Sequence, residues 1–104
     1  MGKLCSIRRW ICIIEATAIR PDGRISYADL GLWSDKHCEQ IKSLLTKIKT
    51  ISPTPFAIQL AHAGRKASCD IPWGDRKEQY HPDESKGWQT LGPNEIPFQN
   101  SENP

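Results

Sequence analysis

Apolar residues gather in three short stretches of this chain, and the period differs from one stretch to the next. Ile11 to Glu15 is a near-continuous apolar run closed by a carboxylate. That is the pattern of a parallel strand covered on both faces, not of an alternating, half-exposed one. Cys38, Ile41, Leu44, Leu45 and Ile48 recur at helical spacing with lysines between them. Ser34 supplies an N-cap and Asp35 an acidic first turn, so the spacing predicts a helix from Asp35 to about Lys49. Ser52-Pro53-Thr54-Pro55 stops it, and Phe56 to Ala61 reads as a second apolar strand interrupted by one polar side chain, Gln59. Strand, helix, strand in that order is a βαβ unit with parallel strands and a right-handed crossover.

The segments between and after these elements read differently. Pro21-Asp22-Gly23 is a turn tripeptide, with Pro fixing φ and Gly tolerating a positive φ, so Ile19 to Trp33 is expected to be a long ordered loop. Loops of that length usually carry function. From Ala63 onward Gly and Pro are frequent, charges are mixed and five of the eight prolines follow Cys69. A long excursion without regular structure is expected there. No internal repeat or low-complexity tract appears.

Composition narrows the class. One hundred and four residues suit one small domain with a modest core. The chain is 38% hydrophobic with a mean hydropathy of -0.57, rather polar, yet four Trp and the Ile-rich runs argue against wholesale disorder. The net charge of +2 comes from 14 basic and 12 acidic residues. No block of like charge points to nucleic acid or to a membrane surface. Cys5, Cys12, Cys38 and Cys69 lack both C-x-x-C spacing and the density of a disulfide scaffold, so reduced thiols in the cytoplasm are expected and a zinc site is not. Ile11 to Ile14 is too short for a signal-peptide core or a membrane span.

Three blocks carry a resemblance. Ile58 to Ser68 (I-Q-L-A-H-A-G-R-K-A-S), Ile13 to Trp33 (I-I-E-A-T-A-I-R-P-D-G-R-I-S-Y-A-D-L-G-L-W) and Gly87 to Phe98 (G-W-Q-T-L-G-P-N-E-I-P-F) resemble, in order and spacing, the Old Yellow Enzyme family of NADH:flavin oxidoreductases, in its xenobiotic reductase-like branch. The resemblance implies an α/β fold, a partial (β/α)₈ TIM barrel comprising strand 2, helix 2, strand 3 and the following loop over the active-site face. Such a barrel typically takes about 250 residues, so the chain is expected to be a fragment of one. The organisation expected is a divergent N-terminus over residues 1–10, a partial flavin oxidoreductase domain over 11–98 and a tail over 99–104.

Candidate site residues follow from position and from the resemblance together. In a parallel barrel, ligands sit where strands end at the C-terminal face, and Ala16 and Gln59 fall near such ends. The resemblance implies the roles: the backbone at Ala16 approaches the flavin, and the Gln59 carboxamide hydrogen-bonds the pyrimidine edge of the isoalloxazine. A carboxamide suits that edge because it offers a donor and an acceptor. Taken alone, Gln59 would be a buried amide satisfied by backbone and Ala16 ordinary packing. Glu15 would be costly if buried unpaired, which points to a partner such as Arg65 or a backbone amide. His62 is read as structural because the family's substrate-binding histidine pair belongs to a later segment, and Arg65 as an ordered loop residue. Trp33, Trp73 and Trp88 are expected to pack around loops, with an aromatic wall over a pocket as the alternative.

The implied cofactor is FMN, with NAD(P)H as reductant and an activated alkene as acceptor; no catalytic or metal-binding residue is assigned. Met1 to Arg9 matches nothing in the family, and the first strand, the histidine pair and the phosphate-binding segments of strands seven and eight have no counterpart in this sequence. The expectation is therefore a truncated FMN-dependent oxidoreductase without turnover of its own. The alternatives are a non-catalytic piece that pairs its open strand edges with another chain or with itself, and a small α/β binding module unrelated to flavin.

Overall fold

A computed structural model describes residues 10–98. Residues 1–9, with Cys5, and the tail 99–104 lie outside the described residues. Strand β1 (Cys12–Ala18), helix α1 (Asp35–Lys49) and strand β2 (Phe56–Ala61) follow one another in the chain, with single 3-10 turns at Pro21–Gly23 and Gly64–Lys66. The two strands pair in parallel, and α1 and β2 occupy the predicted residues.

Helix α1 begins where its cap begins: the Ser34 hydroxyl accepts from the His37 backbone N–H at 3.3 Å. It carries Asp35 in the first turn and Lys47 and Lys49 in the last, each opposing the partial charge of the helix end nearest it. Ile41, Leu45 and Ile48 are half-covered, while Leu44 is exposed.

Strand β1 departs from expectation in extent and in burial. It runs on through Ala16, Thr17 and Ala18, small residues with no strand signal, because their backbone pairs with Gln59, Leu60 and Ala61 of β2. Its apolar beginning is bare. Ile13 is 64% exposed, since the described residues place nothing over that part of the strand, and the expected cover on both faces is not found. The buried end is the other one, where Thr17 and Ala18 are enclosed. There Ala18 donates its N–H to Leu30 and accepts from the Leu32 N–H (2.9 and 2.8 Å), which sets Gly31 beside β1 on the edge away from β2.

The ladder also contains a bulge. Ile14 is level with Ile58 and Ala16 with Gln59, so Glu15 is an extra residue in β1. Without it, Glu15 would stand opposite Gln59. Because side chains alternate in a strand, the insertion re-phases β1 and turns Ala16 to the Gln59 face of the sheet.

Order beyond the strands comes from polar groups. The segment after Ala63 has no strand or α-helix, as expected, but it is closely tied down. The buried Gln79 carboxamide donates to the carbonyls of Arg65 and Ala67 at 2.7 and 2.6 Å. The Ser68 hydroxyl donates to the Tyr80 carbonyl and accepts from the Trp88 N–H, both at 3.1 Å. Cys69 N–H reaches Ile25 O at 2.8 Å, joining this segment to the loop after β1. Among the described residues, no helix is long and apolar enough to cross a membrane.

Candidate functional site at the strand ends

The two residues expected to contact a cofactor stand together. Ala16 and Gln59 are register partners on adjacent parallel strands, and partners in such a ladder project from the same face. Gln59 is exposed, not buried, so its carboxamide is available to a ligand. The bulge at Glu15 makes this pairing; strict alternation from Ile11 gives no sign of it.

The loops at this end of the sheet hold the pair in place. His62, three residues beyond Gln59, lays its imidazole over Gly23, where an added Cβ would stand 2.7 Å from the ring. Its Nδ1 accepts from the Gly64 N–H at 3.0 Å, and its Nε2 lies 3.9 Å from the Asp22 carboxylate. Asp22 also receives two hydrogen bonds from Arg20, at 2.9 and 3.0 Å. That guanidinium holds the Asp22 carboxyl below its ordinary range. With Ala63 N–H on Gly23 O at 2.8 Å, the loop after β2 is latched to the loop after β1, in keeping with a structural role for His62.

Glu15 needs no buried partner, because it is exposed. Arg65 turns elsewhere and donates to Asn94 Oδ1 at 2.8 Å, so the expected Glu15–Arg65 pair does not form. Trp33 and Trp88 are packing residues as expected: the Arg24 guanidinium lies 5.6 Å from one ring centre and 4.6 Å from the other. Trp88 Nε1 also donates to the Asp22 carbonyl at 3.0 Å. Trp73 is different. It is 76% exposed and lines a recess of about 190 Å³ whose wall includes Ala16, Glu15, Ile25 and Asp29.

Several structural ligands of this region were not singled out by the sequence. Asp29 accepts from the N–H groups of Ile25 and Ser26 and from the Ser26 hydroxyl; its only sequence signal is an Asp placed to close a local turn. Gln79 carries none. Cys69 sits against this network, and burial, with Asp29 nearby, pushes its thiol up, so it stays protonated at neutral pH.

Sequence comparison relates this strand–helix–strand unit to NAD(P)H–flavin oxidoreductases. The chain is a homologue of the NADPH dehydrogenases and NADH:flavin oxidoreductases of the Old Yellow Enzyme type, as the three sequence blocks implied. It is 46% identical over 88 residues to an NADPH dehydrogenase of Bacillus pumilus, 85% of this chain and 21% of that protein. An NADPH dehydrogenase of Bacillus subtilis is 47% identical over 60 residues, 58% of this chain and 18% of that one. An NADH:flavin oxidoreductase of Gibberella zeae is 46% identical over 63 residues, 61% of this chain and 15% of that one. The chain thus spans about a fifth of the length of these relatives. No protein-family model matches it.

Proposed function

We propose that this chain forms part of the FMN site of an NAD(P)H-dependent oxidoreductase built on a (β/α)₈ barrel, its two strands being the second and third of that barrel. The observation that carries the reading is the Ala16–Gln59 register pair at the C-terminal ends of parallel strands. The residues present suit the edge of a flavin. Gln59 offers both an N–H donor and a carbonyl acceptor, and Ala16 carries no bulk to hold a planar ring off the backbone. The bulge keeps the Glu15 carboxylate out of register with Gln59 and so away from a ring edge rich in acceptors. Bound FMN would supply the hydride relay from a reduced nicotinamide to an activated alkene. The chain's own part is to position the ring, and turnover requires the strands that complete the relatives' barrel. A cytoplasmic setting accords with the free thiols of Cys12, Cys38 and Cys69.

The test is titration of the purified chain with FMN, following flavin fluorescence, for wild type and Gln59→Ala. Saturable quenching weakened about three- to tenfold in the variant, the loss expected for one or two hydrogen bonds, supports the reading. Equal binding by both chains refutes the Gln59 role, and no binding refutes the site.

A second reading rests on the open sheet. Among the described residues the sheet has two strands, and Ile13 and Leu60 are 64% and 59% exposed. In this reading the chain is non-catalytic and pairs with another polypeptide, either the remainder of a split barrel or a second copy. Sedimentation of the purified chain tests the self-pairing form: a mass that rises with concentration in wild type and not in Ile13→Lys/Leu60→Lys is expected. A monomer at every concentration eliminates it.

A further inference from the structure

Trp73 is held up to solvent by a built turn. Ile71-Pro72-Trp73-Gly74 closes with Gly74 N–H on Ile71 O at 2.8 Å, with Pro at its second position and Gly at its fourth, where each is favoured. Asp70 fastens both sides of it, accepting from Ile71 N–H at 2.8 Å and from Arg76 N–H at 3.2 Å. A Cβ on Gly74 would lie 2.1 Å from that carboxylate, so the turn closes tightly around Asp70. An indole at the tip of a free loop would collapse onto the nearest apolar surface. Here the fixed backbone presents it over a recess that reaches Ala16. The loop residues Ala28, Asp29 and Leu30 border that recess. The same loop continues into Gly31, which pairs with Ala18, so the recess lies on the edge of β1 away from Gln59.

We propose that Trp73 is the aromatic wall of a subsite for a flat aromatic ligand, opening beside Ala16 on the side of β1 away from Gln59. A planar ring whose edge is hydrogen-bonded by Gln59 and which passes over the Ala16 backbone extends toward this recess, and the indole meets its far end. Indoles stack well on such rings and lose little freedom in doing so. The identity of the ligand rests on the flavin reading; the presentation of the indole does not.

Trp10 provides the control. It is 75% exposed, as open as Trp73, but does not line the recess. FMN is titrated into the full chain and into Trp73→Ala, Trp10→Ala and Gln59→Ala, reading flavin and tryptophan emission together. The expected result is a Kd raised about three- to tenfold in Trp73→Ala, with the loss of a distinct fraction of tryptophan quenching, and no change in Trp10→Ala. Equal effects of the two tryptophan substitutions, or none from Trp73→Ala, overturn the subsite. If Gln59→Ala weakens binding while Trp73→Ala does not, the flavin reading stands and this inference falls. No saturable binding by wild type removes both. Both indoles are exposed, so neither substitution strips packing from the fold.

Discussion

Gln59 and Gln79 carry the same side chain in opposite settings, one exposed and one buried, and replacing each by alanine tests whether their roles differ. Gln79 is 3% exposed and spans two backbone carbonyls, those of Arg65 and Ala67, with one amide nitrogen. Ala67 itself is fully buried. Truncation removes two hydrogen bonds worth about 0.5–1.5 kcal/mol each and strands at least one buried acceptor at a cost of about 1–3 kcal/mol, so Gln79→Ala is expected to lose about 2–6 kcal/mol. Gln59 is exposed, and its loss belongs with surface changes of about 0.5 kcal/mol or less. The assay is urea unfolding followed by tryptophan emission. With a slope near 1 kcal/mol per molar urea for so small a chain, the midpoint of Gln79→Ala should fall by about 2 M or more, or the variant should fail to fold. The midpoint of Gln59→Ala should stay in place while its FMN affinity drops. A Gln79→Ala midpoint within about 0.5 M of wild type, or a Gln59→Ala variant that unfolds as readily as Gln79→Ala, refutes the division between a structural and a ligand-facing carboxamide.

Two further outcomes follow from the same rim. Gly31→Ala would place a Cβ 2.2 Å from the Trp33 ring, forcing the indole away from Arg24 and from the edge of His37, 4.5 Å between centres; a loss of about 1–3 kcal/mol and an altered tryptophan spectrum are expected, and an unchanged spectrum refutes the packing argument. Asp22 is held below its ordinary range chiefly by the Arg20 hydrogen bonds, so its contribution is complete above an ordinary aspartate pKa of about 4 and fades as the pH falls through the lower native value. Asp22→Asn should therefore be the less stable chain at pH 6 and lose less stability than wild type between about pH 4 and pH 2; parallel profiles would show that the carboxylate is not engaged.

What the sequence displayed and what it hid divide by range and by period. Helix α1 was legible because Ile41, Leu45 and Ile48 repeat at 3.6-residue spacing and Ser34 caps the start; β2 was legible because two prolines isolate a short apolar run. The end of β1 was not, since Ala16, Thr17 and Ala18 are too small to signal a strand and gain their place only by pairing with β2. The bulge at Glu15 was hidden for a related reason: periodicity assumes a constant phase, and a bulge breaks it without any marker residue. Gln79 and Asp70 act on backbone groups whose proximity depends on the path of the whole loop, and Gln79 reaches across 14 positions to Arg65. Trp73 was expected to pack around a loop, with an aromatic wall over a pocket as the alternative, and the turn that exposes it depends on Asp70. The placing of Ala16 and Gln59 near strand ends was legible in the sequence, but their register pairing depends on the bulge.

The distribution of order along the sheet bears directly on function. Among the described residues, the buried side chains larger than alanine, those of Thr17, Ser26, Ser68, Gln79 and Thr90, are polar, and those of Ser26, Ser68 and Gln79 are tied to loops at the C-terminal ends of the strands. At the start of β1, by contrast, Ile11 and Ile13 are exposed. A chain stabilised mainly by burial would order its strands first and leave its loops loose. Here the hydrogen-bonded loops fix the strand ends, and with them the register of Ala16 against Gln59, while Ile13 at the opposite end of the sheet is exposed. Adding a partner to that bare end would stabilise the fold without altering the ladder at the Ala16–Gln59 pair. The register of the Ala16–Gln59 pair and the cover over Ile13 are thus separable properties of this chain.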